Sequence, residues 1–266
     1  MNKMNQALRE LSQMDDLAAQ HSVIHDRNAA AKLLSTIAYI LAVVSFSKYD
    51  LAGLIPMVLW PVFLFQLSGI PVRLCFYKLR IILPLVMAVG LLNPFFDKTP
   101  LLYLGSVPVS GGVVSMLTLM LKGIFCLMAS FLLMASTPVD SLCAALRNWH
   151  MPGILVTLFL LTYRYIGVMT GELAVMTDAY HLRAPGQKGI HVSAWGSFLG
   201  QLLLRSMDRA QELYASMQLR GYHGHFHYAP WKPFDRRDAV YVALNMVFFV
   251  VVRFVPVASL IGGFFG

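Results

Sequence analysis

The chain has 266 residues, of which 58% are hydrophobic and only 13% charged, with a mean hydropathy of +0.64. Soluble domains carry roughly 25% charge, so the composition excludes an ordinary soluble fold and reads as an all-α polytopic membrane protein. The formal charge of +8 does not point to nucleic acid, because the basic residues alternate with apolar segments. Cys75, Cys126 and Cys143 lack paired or metal-ligand spacing, which excludes a disulfide scaffold and leaves reduced, inert thiols. Residues Met1 to Arg27 hold acids, amides and histidines without a continuous apolar core, and are therefore not expected to be a cleaved signal peptide.

A helix needs about 20 apolar residues to cross a bilayer. In chain order the expected spans are Leu33 to Ser47, Leu51 to Ile70 with Pro56 and Pro61, Ile81 to Phe96, Gly112 to Ser136 and Ala239 to Ile261. Lys48-Tyr49-Asp50 joins the first two as a tight connection. Lys3, Arg9, Arg27 and Lys32 precede the first span, Arg73, Lys78 and Arg80 follow the second, and ten further Lys and Arg fall in 137–238. The opposite connections carry only Lys48 and Lys98. The positive-inside rule then puts the N-terminus and 137–238 in the cytoplasm and the C-terminus outside, as a multi-pass protein of the cell (inner) membrane. The resulting divisions are 1–32 (cytosolic N-terminal segment), 33–136 (four-helix membrane domain), 137–238 (cytosolic helices) and 239–266 (last span).

Within 137–238, Thr137-Pro138-Val139-Asp140 ends one helix and opens a short amphipathic one reaching Trp149, and Met151-Pro152-Gly153 breaks it. A long helix is expected over Ile154 to His181; Arg164 in its middle argues that it lies against the bundle rather than crossing as a sixth span. Another is expected over Ala194 to Arg220, with Leu199, Leu203, Ala210, Leu213 and Met217 as its apolar stripe. On its other face Arg205 is spaced to pair with Asp208, and Arg209 with Glu212.

Each long helix closes on an arginine triplet, Leu182-Arg183-Ala184 and Leu219-Arg220-Gly221, and a breaker follows at once. The plainest reading of a C-terminal arginine is a cation favoured by the helix dipole. Its repetition 37 residues apart instead suggests two guanidiniums offered to a soluble partner with two acidic grooves, since the planar fork suits bidentate contact with carboxylate. Lys122, mid-way along the fourth span, carries an insertion penalty of about 2.5–3.5 kcal/mol; a structural role is weighed there against an ion or substrate path. Arg253 lies nearer the outer end of the last span and is read as snorkelling. His223, His225 and His227 alternate and could face a transition metal together, but they lack an acidic or thiolate companion and read as a solvated loop. Phosphate-loop, His-Glu-x-x-His and Gly-x-Ser-x-Gly motifs are absent from the sequence. The residues alone leave open a polytopic membrane enzyme or stand-alone secondary carrier working through Lys122 or the histidines.

The run Thr137-Pro138, Asp140, Leu142, Ala145-Leu146-Arg147, Pro152, Tyr163-Arg164-Tyr165 and Glu172, together with Ser22-Val23-Ile24-His25 before Lys32-Leu33-Leu34 and the two triplets, resembles the transmembrane T component of energy-coupling factor importers, the CbiQ/EcfT type. Where that family often has Ala-Arg-Gly, this chain has Leu-Arg-Ala and Leu-Arg-Gly. The resemblance implies a non-catalytic coupling subunit without a cofactor. Its implied partners are two cytosolic ATP-binding subunits, entered by Arg183 and Arg220, and a membrane S component that captures the substrate. The subgroup most resembled serves cobalt uptake for corrinoid synthesis; nickel or a vitamin is the alternative.

Overall fold

The computed structural model describes residues 12–80, 82–96, 100–104, 107–187, 189–224 and 233–254. It divides into two compact units, one formed by Leu17–Pro138 with Lys232–Gly266 (the bundle unit) and one by Met1–Asp16 with Val139–Trp231 (the long-helix unit).

In the bundle unit α1 spans Ala29–Ser45, opened by the Asn28 side chain, which accepts from Ala30 N at 2.8 Å. Asp50 then accepts from Gly53 N at 2.9 Å and starts α2, Leu51–Ser68, which Gly69 ends at φ 70°. Inside α2, Ile55–Val58 tightens to a 3-10 turn. Pro61 has no N–H to give the Met57 carbonyl four residues earlier, and the Tyr39 hydroxyl donates to that oxygen instead, at 3.0 Å. Two short helices follow, α3 (Val72–Leu79) and α4 (Leu83–Phe96), with a 63° bend between Val72–Leu79 and Leu83–Leu91. Val72–Leu79 is helical where the sequence suggests a basic connection. An antiparallel hairpin, β1 (Pro100–Leu104) with β2 (Val107–Ser110), leads into α5 (Gly111–Ser136), and α9 is Arg236–Phe254. The hairpin was not expected, but it is a small addition to an all-α polytopic membrane protein.

The bundle core is aromatic. Tyr39 stacks on Trp60 at 4.3 Å between ring centroids, and Phe249 closes on both at 5.5 and 5.7 Å. The Trp60 indole donates to Asn245 Oδ1 at 2.6 Å, and Asn245 in turn donates to the Tyr241 carbonyl at 2.8 Å. At the start of α9, buried Asp238 accepts from Asp235 N at 3.2 Å and from Asn28 N at 3.3 Å, with the Arg27 guanidinium 4.0 Å away. One carboxylate thus fixes the starts of α1 and α9 together.

The long-helix unit holds α6 (Val139–Asn148), α7 (Gly153–Arg183) and α8 (Trp195–Leu219). His150 takes φ 62°, and the amides of His150 and Met151 bond to the carbonyls of Arg147 and Leu146, turning the chain from α6 into α7. Cys143 packs with Val156 and Leu160 beneath Val139 and Leu146. Burial pushes the Cys143 thiol up to about 11, with Asp140 adding to the effect, so it stays protonated at neutral pH.

By length and apolarity α2, α5 and α7 could each cross a membrane, and the bent α3–α4 pair makes a fourth if it is one broken span. At 1.5 Å per residue α1 reaches about 25 Å, against roughly 30 Å of hydrocarbon. The last span as read from sequence runs on to Ile261, outside the described residues.

Tyr39→Phe keeps the ring stack but leaves the Met57 carbonyl without a donor. It is expected to cost about 1–2 kcal/mol, seen as earlier thermal unfolding of the detergent-solubilised chain; an unchanged transition would show that the hydroxyl is not needed there.

Candidate coupling site

The tip of α7 is built by a Pro-Gly corner. Arg183 is the last helical residue, Ala184 N donates to the Tyr180 carbonyl at 3.0 Å, and Gln187 N to the Ala184 carbonyl at 3.4 Å. Pro185 fixes its own φ, and Gly186 supplies the positive φ of 92° that such a corner needs. The Tyr180 hydroxyl holds the corner from below, donating to Gln187 Oε1 at 2.8 Å and accepting from His191 N at 3.2 Å.

The tip of α8 ends differently. Arg220 is the capping residue, and Gly221 turns left-handed at φ 83°. Gly221 N donates to the Gln218 carbonyl at 2.9 Å and Tyr222 N to the Met217 carbonyl at 3.0 Å, the two bonds of a Schellman ending. This explains the unequal triplets. The second needs glycine at its third position because that residue takes the positive φ; in the first, the left-handed residue comes two places later, so Ala184 is tolerated.

Both arginines are exposed, and among the described residues neither guanidinium makes an ion pair or side-chain hydrogen bond. Backbone amides meet the Tyr180 carbonyl at the α7 tip and those of Met217 and Gln218 at the α8 tip. The dipole still favours a cation there by about 0.3–1 kcal/mol, but it does not occupy the guanidinium's donors. Leu182 and Leu219, beside the arginines, are 85% and 90% exposed.

The two helices meet where Arg205 pairs with Glu172 at 2.9 Å. This corrects the expected Arg205–Asp208 pair: Glu172 on the neighbouring helix takes the guanidinium, a partner that spacing along one helix cannot reveal. Arg209 and Glu212 do pair, at 3.4 Å. The first half of the apolar stripe needs correction, because Leu199 and Leu203 are 52% and 62% exposed, whereas Leu213 and Met217 are half-buried as expected. Phe198 is buried and Leu202 half-buried, so the adjacent row is the covered one; two neighbouring apolar rows share one period, and period alone cannot choose between them. A cleft of about 400 Å³ between the helices is lined by Leu158, Tyr165 and Met169 from α7 and Leu213, Tyr214 and Met217 from α8. From the Glu172–Arg205 contact, α7 runs on 11 residues to Arg183 and α8 15 residues to Arg220. At 1.5 Å per residue these arms are about 16 and 22 Å long, so the arginines stand at separate tips.

Lys122 lies in the bundle unit, where its ammonium donates to the carbonyls of Phe46 at 2.6 Å and Val44 at 3.2 Å. Arg253 reaches the same helix end, bonding Ser45 O at 3.3 Å and lying 5.0 Å from the Phe46 ring. Both cations therefore cap the C-terminus of α1. Lys32 is buried and donates to the Ser136 carbonyl at 2.6 Å, at the end of α5. His223 is exposed, while His225 and His227 lie outside the described residues. Among the described residues no three His, Cys, Asp or Glu are grouped to hold a metal.

The CbiQ cobalt transport protein family matches residues 20–228, which include both triplets. The nickel permease LarQ of Lactiplantibacillus plantarum is 29% identical over 120 residues, covering 45% of this chain and 43% of that protein. The cobalt transport protein CbiQ of Rhodobacter capsulatus is 31% identical over 104 residues, covering 38% of this chain and 42% of that protein. The fused cobalt transport protein CbiMQ of Methanocorpusculum labreanum is 28% identical over 95 residues, covering 35% of this chain and 16% of that protein. The chain spans less than half the length of each of these relatives.

Gly221→Ala is expected to strain the left-handed position by about 1 kcal/mol, speeding amide exchange at Gly221 and Tyr222 roughly fivefold, while Ala184→Gly leaves the α7 tip in place. Equal effects of the two changes would refute the different endings. Lys122→Met should lower the stability of the solubilised chain by about 1–3 kcal/mol, through carbonyls left short of a donor. Loss of transport with unchanged stability would instead mark Lys122 as part of a path.

Proposed function

The chain belongs to the CbiQ cobalt transport protein family, and on that premise we propose that it is the non-catalytic coupling subunit of an ATP-driven importer for a divalent transition metal. The observation carrying this reading is the pair of exposed guanidiniums without partners among the described residues, each on its own helix tip, in a chain that lacks a phosphate-binding loop. Arg183 and Arg220 each enter an acidic groove on one of two cytosolic ATP-binding subunits. Closure of those subunits around ATP pushes α7 and α8 apart or together, and the movement is passed to a separate membrane subunit that captures the substrate. The distribution of basic residues favours the cytoplasmic side for the N-terminus and the two arginine tips, and the outside for the C-terminus.

Cobalt is the proposed substrate, supported by the family's description and by the Rhodobacter relative; the nickel permease favours nickel as the second reading. Either metal would be carried as substrate and selected by the capture subunit. The geometry of Lys122, whose donors are turned to α1 carbonyls, favours a frame over a stand-alone carrier.

Truncating one partner of a desolvated, hydrogen-bonded charge pair costs about 2–5 kcal/mol. The double variant Arg183→Glu with Arg220→Glu is therefore expected to insert normally and to lose its ATP-binding subunits on purification. Recovery of the intact complex would refute the docking role.

A further inference from the structure

The two most exposed large apolar side chains among the described residues are Leu219 and Leu182, at 90% and 85%. A single exposed leucine needs no explanation. Here the same residue type takes the same place at both tips, immediately before an exposed arginine, although the two helices end by different backbone devices. At the α8 tip the side following the arginine is bare: nothing lies within 4 Å of where a Cβ on Gly221 would stand. Each tip thus presents an isobutyl group, then a guanidinium, then backbone with little or no side chain.

Resting on the coupling role given above, we propose that Leu182 and Leu219 are docking anchors, each filling an apolar pocket beside the carboxylate in the groove of an ATP-binding subunit. The occupant is a groove of mixed chemistry, acid next to apolar, rather than a purely electrostatic socket. Charge complementarity supplies the acid; the exposed leucine, whose burial is worth more than that of a smaller side chain, supplies the pocket. The pairing also gives selectivity, because an ATP-binding subunit with an acidic groove but a polar or filled neighbouring site would leave a leucine stranded in water or clashing.

The test titrates purified ATP-binding subunits onto the full-length chain held in nanodiscs. Both leucines are exposed, so substituting them removes no buried packing within the chain. Leu182→Ala and Leu219→Ala are each expected to weaken binding about tenfold or more, and Leu→Met at both positions to restore it to within about threefold. If the alanine variants bind like wild type while Arg183→Glu with Arg220→Glu does not bind, the leucines are idle and the anchor proposal fails, with the arginine docking intact. If the arginine variant also binds like wild type, the docking role fails and the anchors fail with it.

Discussion

The last turn of every α-helix leaves carbonyl oxygens without amide donors, and in a membrane these cannot be left to water. The chain's cations divide by whether they serve these carbonyls. In the bundle unit side chains do it: Lys122 and Arg253 close the end of α1, and Lys32 the end of α5. In the long-helix unit backbone turns take part of that work: His150 and Gly221 sit in left-handed conformations, and the Pro185-Gly186 corner follows α7. Two exposed cations at the helix ends of this unit make no side-chain bond among the described residues. They are Arg183 and Arg220.

The bundle unit has the makings of a stiff frame. Asp238 accepts amides from Asn28 and Asp235 beside the Arg27 guanidinium, fixing the starts of α1 and α9. Deeper in, Tyr39, Trp60 and Phe249 interlock, and the Trp60–Asn245 bond gives the cluster one orientation. Such polar bonds at membrane depth are costly to leave unmade, which favours one arrangement over many. The long-helix unit is joined more lightly, by a surface pair worth about 1 kcal/mol or less and a partly open cleft. A lightly joined pair of levers is suited to being moved.

Helix ends were the most legible feature of the sequence. Pro138, Met151-Pro152-Gly153, Pro185-Gly186 and Gly221 are local signals, and α6, α7 and α8 start and stop beside them. What stayed hidden was contact between residues far apart in the chain. Tyr39 replacing the amide that Pro61 lacks, Asp238 reaching Asn28 and Glu172 taking Arg205 are properties of the folded arrangement rather than of any window. At the start of α8 the covered row is the neighbouring one, because Phe198-Leu199 and Leu202-Leu203 offer two equivalent apolar lines, while Leu213 and Met217 lie on the covered side as expected. The arginine tips could be found as residues, but that their guanidiniums are unoccupied could be seen only once the backbone bonds around them were in view.

The most direct measurement is a structure of the whole importer, this chain together with its ATP-binding and capture subunits. Arg183 and Arg220 should each lie within about 4 Å of a carboxylate, on two different ATP-binding subunits. Either guanidinium folded back onto its own chain, or facing lipid or solvent in the assembled complex, would overturn the coupling role.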